Sequence, residues 1–192
     1  MEKDRVLAFS DGVIAIIITI MVLELRPPHE ASLAALAGLT PVFLSYVLSF
    51  VYVAIYWNNH HHMMAAVTRV DGAVLWANMH LLFWLSLTPF ATAWMGEAHG
   101  AALPTAAYGG VLFAAAVAYY ILQSVLVRLH GKDSAFTRAL RSDLKGRLSP
   151  FVYAAGIALA FLDPRISQAL YAIVALIWLV PDRRFEKAAE RK

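Results

Sequence analysis

Four windows, Val6 to Leu25, Leu36 to Trp57, Ala73 to Trp94 and Ala107 to Val127, are almost unbroken apolar sequence. Each is about the length of a membrane-crossing helix, since roughly 20 residues at about 1.5 Å per residue cover about 30 Å of hydrocarbon. Two further runs, Leu148 to Leu162 and Ile166 to Val180, are shorter and flank Asp163-Pro164-Arg165, a turn signal that reads as the corner of a helical hairpin. Six spans follow, and with them an all-α integral membrane chain. The composition agrees: 60% of the 192 residues are hydrophobic and 15% charged, with a mean hydropathy of +0.62. Soluble domains carry nearer 45 to 50% apolar residues, about a fifth less.

Basic residues orient the spans. With the N-terminus inside, the inner segments hold Lys3 and Arg5; Arg69; Arg128, Lys132, Arg138, Arg141, Lys145 and Arg147; and Arg183, Arg184, Lys187, Arg191 and Lys192. Only Arg26 and Arg165 of the 16 basic residues are left outside, as the positive-inside rule expects. Both termini are then cytoplasmic, and the chain is expected in the cell membrane. The pI of about 9.3 follows from topology and requires no nucleic-acid partner. The first run is too long for a signal-peptide core and no small-residue cleavage site follows it, so it reads as a retained helix. No cysteine is present, which removes disulfides and thiolate metal sites from consideration.

No internal repeat or long linker divides residues 1–192, which read as one membrane domain. Pro27-Pro28 ends the first span, Gly100 to Pro104 separates the third from the fourth, and the longest polar connection, His130 to Gly146, joins spans four and five on the inner side. A basic cluster such as Arg128 to Arg147 is of the kind that attracts anionic lipid. Trp57 and Trp94 fall near span ends, where amphipathic rings favour the interface.

The first span carries the chemistry worth explaining. At 100° per residue, Ile16, Thr19, Ile20 and Leu23 share one face, while Asp11 points about 140° away from Ile16. A carboxylate facing lipid costs about 2.5 to 3.5 kcal/mol at a helix centre, so Asp11 is expected to face protein or water. Partners are available on the same side: the run Trp57-Asn58-Asn59-His60-His61-His62 at the end of span two, and Asn78 and His80 in span three. One buried network of Arg5, Ser10, Asp11, Trp57, His60 and Asn78 would satisfy every member and tie three helices together. The alternative is that Asp11 is a helix-end carboxylate in a water-filled vestibule. The run His60-His61-His62 is a poor metal cluster, because adjacent helical residues point about 100° apart.

The stretches RVLAFSDGVIAIIITIMVL, YVLSFVYVAIYWNNH and RVDGAVLWANMHLLFWLSLTPF resemble, in order and spacing, the transmembrane protein 175 family of potassium channels, in particular its short prokaryotic members. The resemblance covers about the first half of the chain, and its Arg-x-x-x-Phe-Ser-Asp signature falls on Arg5, Phe9, Ser10 and Asp11. It implies a six-helix subunit, a homotetramer embedded in lipid, and a central pore lined by four copies of the first helix. It implies further that Ile16 forms the narrowest ring, that Thr19, Ile20 and Leu23 also face the pore, and that Arg5, Ser10, Asp11, Trp57, His60 and Asn78 hold the pore helix in place. Potassium would be the permeant ion, with no cofactor and no bound metal beyond it. The carbonyl filter sequence of ordinary potassium channels, Thr-Val-Gly-Tyr-Gly, is absent.

A rival from another class is a proton-coupled small transporter that uses Asp11 and the histidines as a relay. Inverted repeats and helices broken at midplane, which mark many transporters, are not evident. An intramembrane enzyme has less to stand on, since no His-Glu-x-x-His, no Gly-x-Ser-x-Gly and no paired carboxylates occur within the spans.

Overall fold

The structure, a computed structural model, describes residues 2–131, 134–140 and 144–179. Lys132, Arg141, Arg183, Arg184, Lys187, Arg191 and Lys192, which enter the charge argument, and Val180 at the end of the sixth run lie outside the described residues. The helices are α1 (Lys3–Leu23), α2 (Leu33–Gly38), α3 (Thr40–Ala66), α4 (Gly72–Ser86), α5 (Thr88–Glu97), α6 (Ala102–His130), α7 (Ala135–Leu140), α8 (Leu144–Leu159) and α9 (Pro164–Leu179). No strand occurs among the described residues.

Four elements are long and apolar enough to cross a membrane: α1, α3, the near-continuous pair Gly72–Glu97, and α6. They correspond to the four long apolar windows, with informative differences. The second window begins at Leu36, but Leu36 belongs to the separate short helix α2, and α3 starts only at Thr40 with Pro41 in its first turn, where a missing N–H costs nothing. At its other end α3 runs nine residues beyond Trp57, through the Asn and His residues to Ala66. The third window is interrupted at Leu87, because Pro89 cannot continue the hydrogen-bond ladder of α4. The connection from His130 to Gly146, expected as a polar loop, contains α7 and the first turn of α8. The hairpin of α8 and α9 turns at Asp163, whose carboxylate accepts from the Arg165 amide at 2.9 Å. Each of these two helices has 16 residues, about 24 Å at 1.5 Å per residue, and so is shorter than the bilayer core.

Helix α6 is the hub, packing on α4, α5, α8 and α9, while α1 lies against α3, α4 and α5. Two apolar clusters fill the bundle. One joins α1, α3, α4 and α6 through Val6, Ile14, Ile17, Met21, Met63, Leu81, Leu85, Leu122 and Leu126. The other joins α3, α5, α6, α8 and α9 around Tyr52, Tyr108, Tyr153 and Tyr171. The phenols there are spent on the backbone and on hydroxyls: Tyr52 donates to the Tyr171 carbonyl at 2.6 Å, and the Tyr108 and Ser49 hydroxyls meet at 2.9 Å.

The basic end of the bundle is stitched by cations. Lys3 Nζ donates to the Val67 carbonyl at 3.3 Å, Arg69 to the Leu129 carbonyl at 2.9 Å, and Lys145 to the Ile177 carbonyl at 3.0 Å. These bonds satisfy carbonyls at helix ends and just beyond them, which the helices themselves leave open. Arg26 and Arg165 lie at the opposite end, bordering clefts that Glu97 and His99 respectively also line.

Small residues set the closest approach. A Cβ added at Gly156 of α8 would overlap the Tyr171 ring, and one at Gly109 of α6 would overlap the Tyr171 hydroxyl. Close backbone approach of this kind is how membrane helices pack when lipid offers no hydrophobic drive. Gly156→Ala is expected to lower stability by about 1 to 3 kcal/mol through overpacking, seen as a lower melting temperature of the purified protein in detergent. An unchanged melting temperature would contradict the clasp around Tyr171.

Candidate site along the first helix

Helix α1 has two unlike faces. Val6, Ser10, Ile14, Ile17 and Met21 are buried against the rest of the subunit. The other face, which carries Ile16, Thr19, Ile20 and Leu23, is uncovered, with Ile16 58% and Leu23 77% exposed. No carboxylate lies on this helix between Gly12 and Leu23, and Thr19 is its one polar side chain there. The Thr19 hydroxyl donates to the Ile16 carbonyl at 2.8 Å. Its proton is therefore committed to the backbone, and its oxygen presents lone pairs outward, the polarity a cation needs.

The buried face is held by hydrogen bonds in series. Asn78 of α4 donates from Nδ2 to Ser10 Oγ at 2.9 Å, and Ser10 passes its own proton to the Val6 carbonyl at 2.8 Å. The Asn78 Oδ1 is then an acceptor, so His60 of α3, at 2.8 Å, carries its proton on Nε2 and donates. Ser10 and His60 are fully buried and Asn78 nearly so. Three helices are thus joined by groups that have no water to fall back on. His60 Nδ1 is left buried and without a partner among the described residues.

Asp11 and Trp57 form a separate contact. The Trp57 indole donates to Asp11 Oδ1 at 3.0 Å, with Trp57 43% exposed and Asp11 half-buried. Consecutive residues on a helix diverge by about 100°, so Ser10 and Asp11 face different neighbours. Arg5 and Phe9 are exposed and border a shallow groove with Leu75, Asn78 and Met79. The Arg5 guanidinium makes no hydrogen bond or ion pair among the described residues. The six residues grouped into one network therefore divide into a buried trio, a surface pair and an exposed arginine. The histidines diverge likewise: His60 bonds to Asn78, while the His61 ring lies 5.9 Å from that of Trp57. Among the described residues no group of three His, Cys, Asp or Glu side chains could hold a metal ion.

Sequence reasoning passed over the clamp on the α3–α4 connector, where the Thr68 amide donates to His130 Nε2 at 3.2 Å beside the Arg69 bond to Leu129. Cations and histidines close to predicted span ends were the available signal.

The profile of the endosomal/lysosomal potassium channel TMEM175 family matches residues 5–89. A potassium channel of Chryseobacterium sp. (strain P1-3) is 53% identical over 188 residues, which is 98% of each chain. The crystal structure of a lysosomal potassium-selective channel TMEM175 homolog from Chamaesiphon minutus superposes with a TM-score of 0.82 at 29% identity, covering 94% of this chain and 98% of that one. The human endosomal/lysosomal proton channel TMEM175 is 33% identical over 103 residues, 47% of this chain and 20% of its own.

Asn78→Leu removes the acceptor of one buried group and the donor to another. It is expected to cost about 1 to 3 kcal/mol for each group left unpaired, read as a fall in unfolding temperature in detergent. In a double-mutant cycle with Ser10→Ala the two losses should be clearly non-additive. Strict additivity would mean that the observed contact carries no coupling.

Proposed function

The chain belongs to the TMEM175 channel family, and on that premise we propose that it is a potassium-preferring cation channel whose pore is lined by α1 from several copies of the subunit. One observation carries the reading: α1 is fastened by one face to its own subunit and leaves Ile16, Thr19, Ile20 and Leu23 bare. A membrane helix so arranged is suited to meet its symmetry mates around an axis. Four copies, each a six-helix subunit formed as a single unit, follow from the family resemblance. The relatives named as potassium channels support potassium as the permeant species, with no cofactor.

In this reading the Ile16 side chains form the constriction. A narrow apolar ring expels water, and a cation that sheds its hydration shell there meets a barrier that a small splay of α1 would lower. The outward lone pairs of Thr19, one turn further on, supply partial compensation. Potassium holds its shell less tightly than sodium, so the dehydration cost favours it. The chain sits in the cell membrane with its basic end, marked by Lys3, Arg69 and Lys145, on the cytoplasmic side. The Ser10, Asn78 and His60 bonds and the Asp11 to Trp57 contact act as positioning groups for α1.

The test is ion flux into liposomes holding the purified protein, compared for potassium, sodium and caesium. Potassium flux should exceed sodium flux without any imposed proton gradient. Ile16→Asn wets the ring; a barrier lowered by about 1.4 kcal/mol raises flux about tenfold, and the preference for potassium should shrink. Unchanged leak and selectivity in this variant would remove Ile16 from the constriction. Flux that strictly requires a proton gradient would favour the relay through Asp11 and the histidines instead.

A further inference from the structure

At the basic end of the bundle a crevice of about 290 Å3 opens between the last turns of α6, helix α7 and the first turn of α8, bordered by Tyr120, Gln123, Ser124, Thr137, Gly146 and Arg147. Gln123 is only 8% exposed, yet its amide has no hydrogen-bond partner among the described residues. Its polar atoms are not sealed in the interior and open onto the crevice, where a ligand can complete them. The exposed Arg147 guanidinium is likewise unpaired among the described residues. The hydroxyls of Ser124 and Thr137 have already given their protons to the Tyr120 and Gly131 carbonyls, each at 2.8 Å. The free donors are therefore the Tyr120 phenol, one amide and one guanidinium, a set that calls for an anion with several acceptor oxygens.

The surroundings specify the rest of the ligand. On α8, Phe151 lies about 40° from Arg147 on the helical wheel and is exposed. Phe151 is about 6 Å deeper along the helix axis than Arg147. A ligand whose charge rests at Arg147 thus continues along apolar surface that points into hydrocarbon.

We propose that this crevice is a binding site for an anionic phospholipid, with the headgroup phosphate held by Arg147 and the Gln123 amide and the acyl chains laid along Phe151. The site is remote from the bare stripe of α1 and does not depend on the pore assignment. The experiment is native mass spectrometry of the full chain in detergent, titrated with phosphatidylglycerol or phosphatidylcholine, with and without millimolar inorganic phosphate. Phosphatidylglycerol should bind in preference to phosphatidylcholine and survive the added phosphate. Arg147→Ala should weaken it about fivefold, the size of one basic side chain's attraction to an anionic lipid. Gln123→Leu should weaken it several-fold with the charge untouched, and Arg147→Lys should restore most of the loss seen with alanine. Equal binding of the two lipids, or unchanged binding in Gln123→Leu, overturns the proposal. Full displacement by inorganic phosphate overturns the lipid as the source of the anion. Should Arg147→Ala fail to fold, judged by its elution and melting temperature, Gln123→Leu alone decides the outcome.

Discussion

Everything distinctive about this subunit depends on how α1 is attached to it. The bonds from His60 to Asn78, from Asn78 to Ser10 and from Ser10 to the Val6 carbonyl join α3, α4 and α1 where no solvent is available. In such surroundings a half-made set would be worse than an apolar contact, so the three side chains stand or fall together. The attachment uses only the inward face of α1. The outward face keeps an apolar stripe interrupted by a single hydroxyl. The polar groups are concentrated near the start of α1, and the apolar ones occupy the face left over.

The rest of the bundle serves as a frame for that helix. The cluster on α1, α3, α4 and α6 holds α1 directly, and the tyrosine-lined cluster on α3, α5, α6, α8 and α9 braces the helices behind it. Tyr171, inserted where Gly109 and Gly156 lack side chains, lets α9 approach both α6 and α8. Membrane helices gain little from burying apolar surface against each other, so contacts of this sort and the buried phenol and hydroxyl bonds carry the specificity.

The apolar windows were legible because hydrocarbon thickness fixes a length, and α1, α3, the α4–α5 pair and α6 occupy them. The helix boundaries were less so. Residues 58–62, Asn-Asn-His-His-His, look like a polar end to a span, yet they continue α3 because protein rather than lipid surrounds them: Asn59 bonds to the Ile55 carbonyl and His60 to Asn78. Helix α7 was invisible, since six residues among charges show no periodicity that stands out. At the candidate site, periodicity separated the Ile16 face from Asp11, but periodicity cannot say which neighbour each polar group meets. Arg5 lies about 140° around the helix from Ser10, so no single partner serves both; that division was present in the spacing and only became plain with the helices in place. The tyrosine contacts of the second half join residues as far apart as Tyr52 and Tyr171, a separation that no local pattern encodes.

The polar fastening of α1 lies near its beginning, and the apolar packing of Ile14, Ile17 and Met21 continues it toward the last turn. Measured from Ser10, Ile16 lies about 9 Å along the axis and Leu23 about 20 Å. A tilt of the whole helix about Ser10 would carry Leu23 roughly twice as far as Ile16, and it would have to shift the buried Met21 as well. The hydrogen-bonded trio and the apolar seam therefore resist such a tilt together.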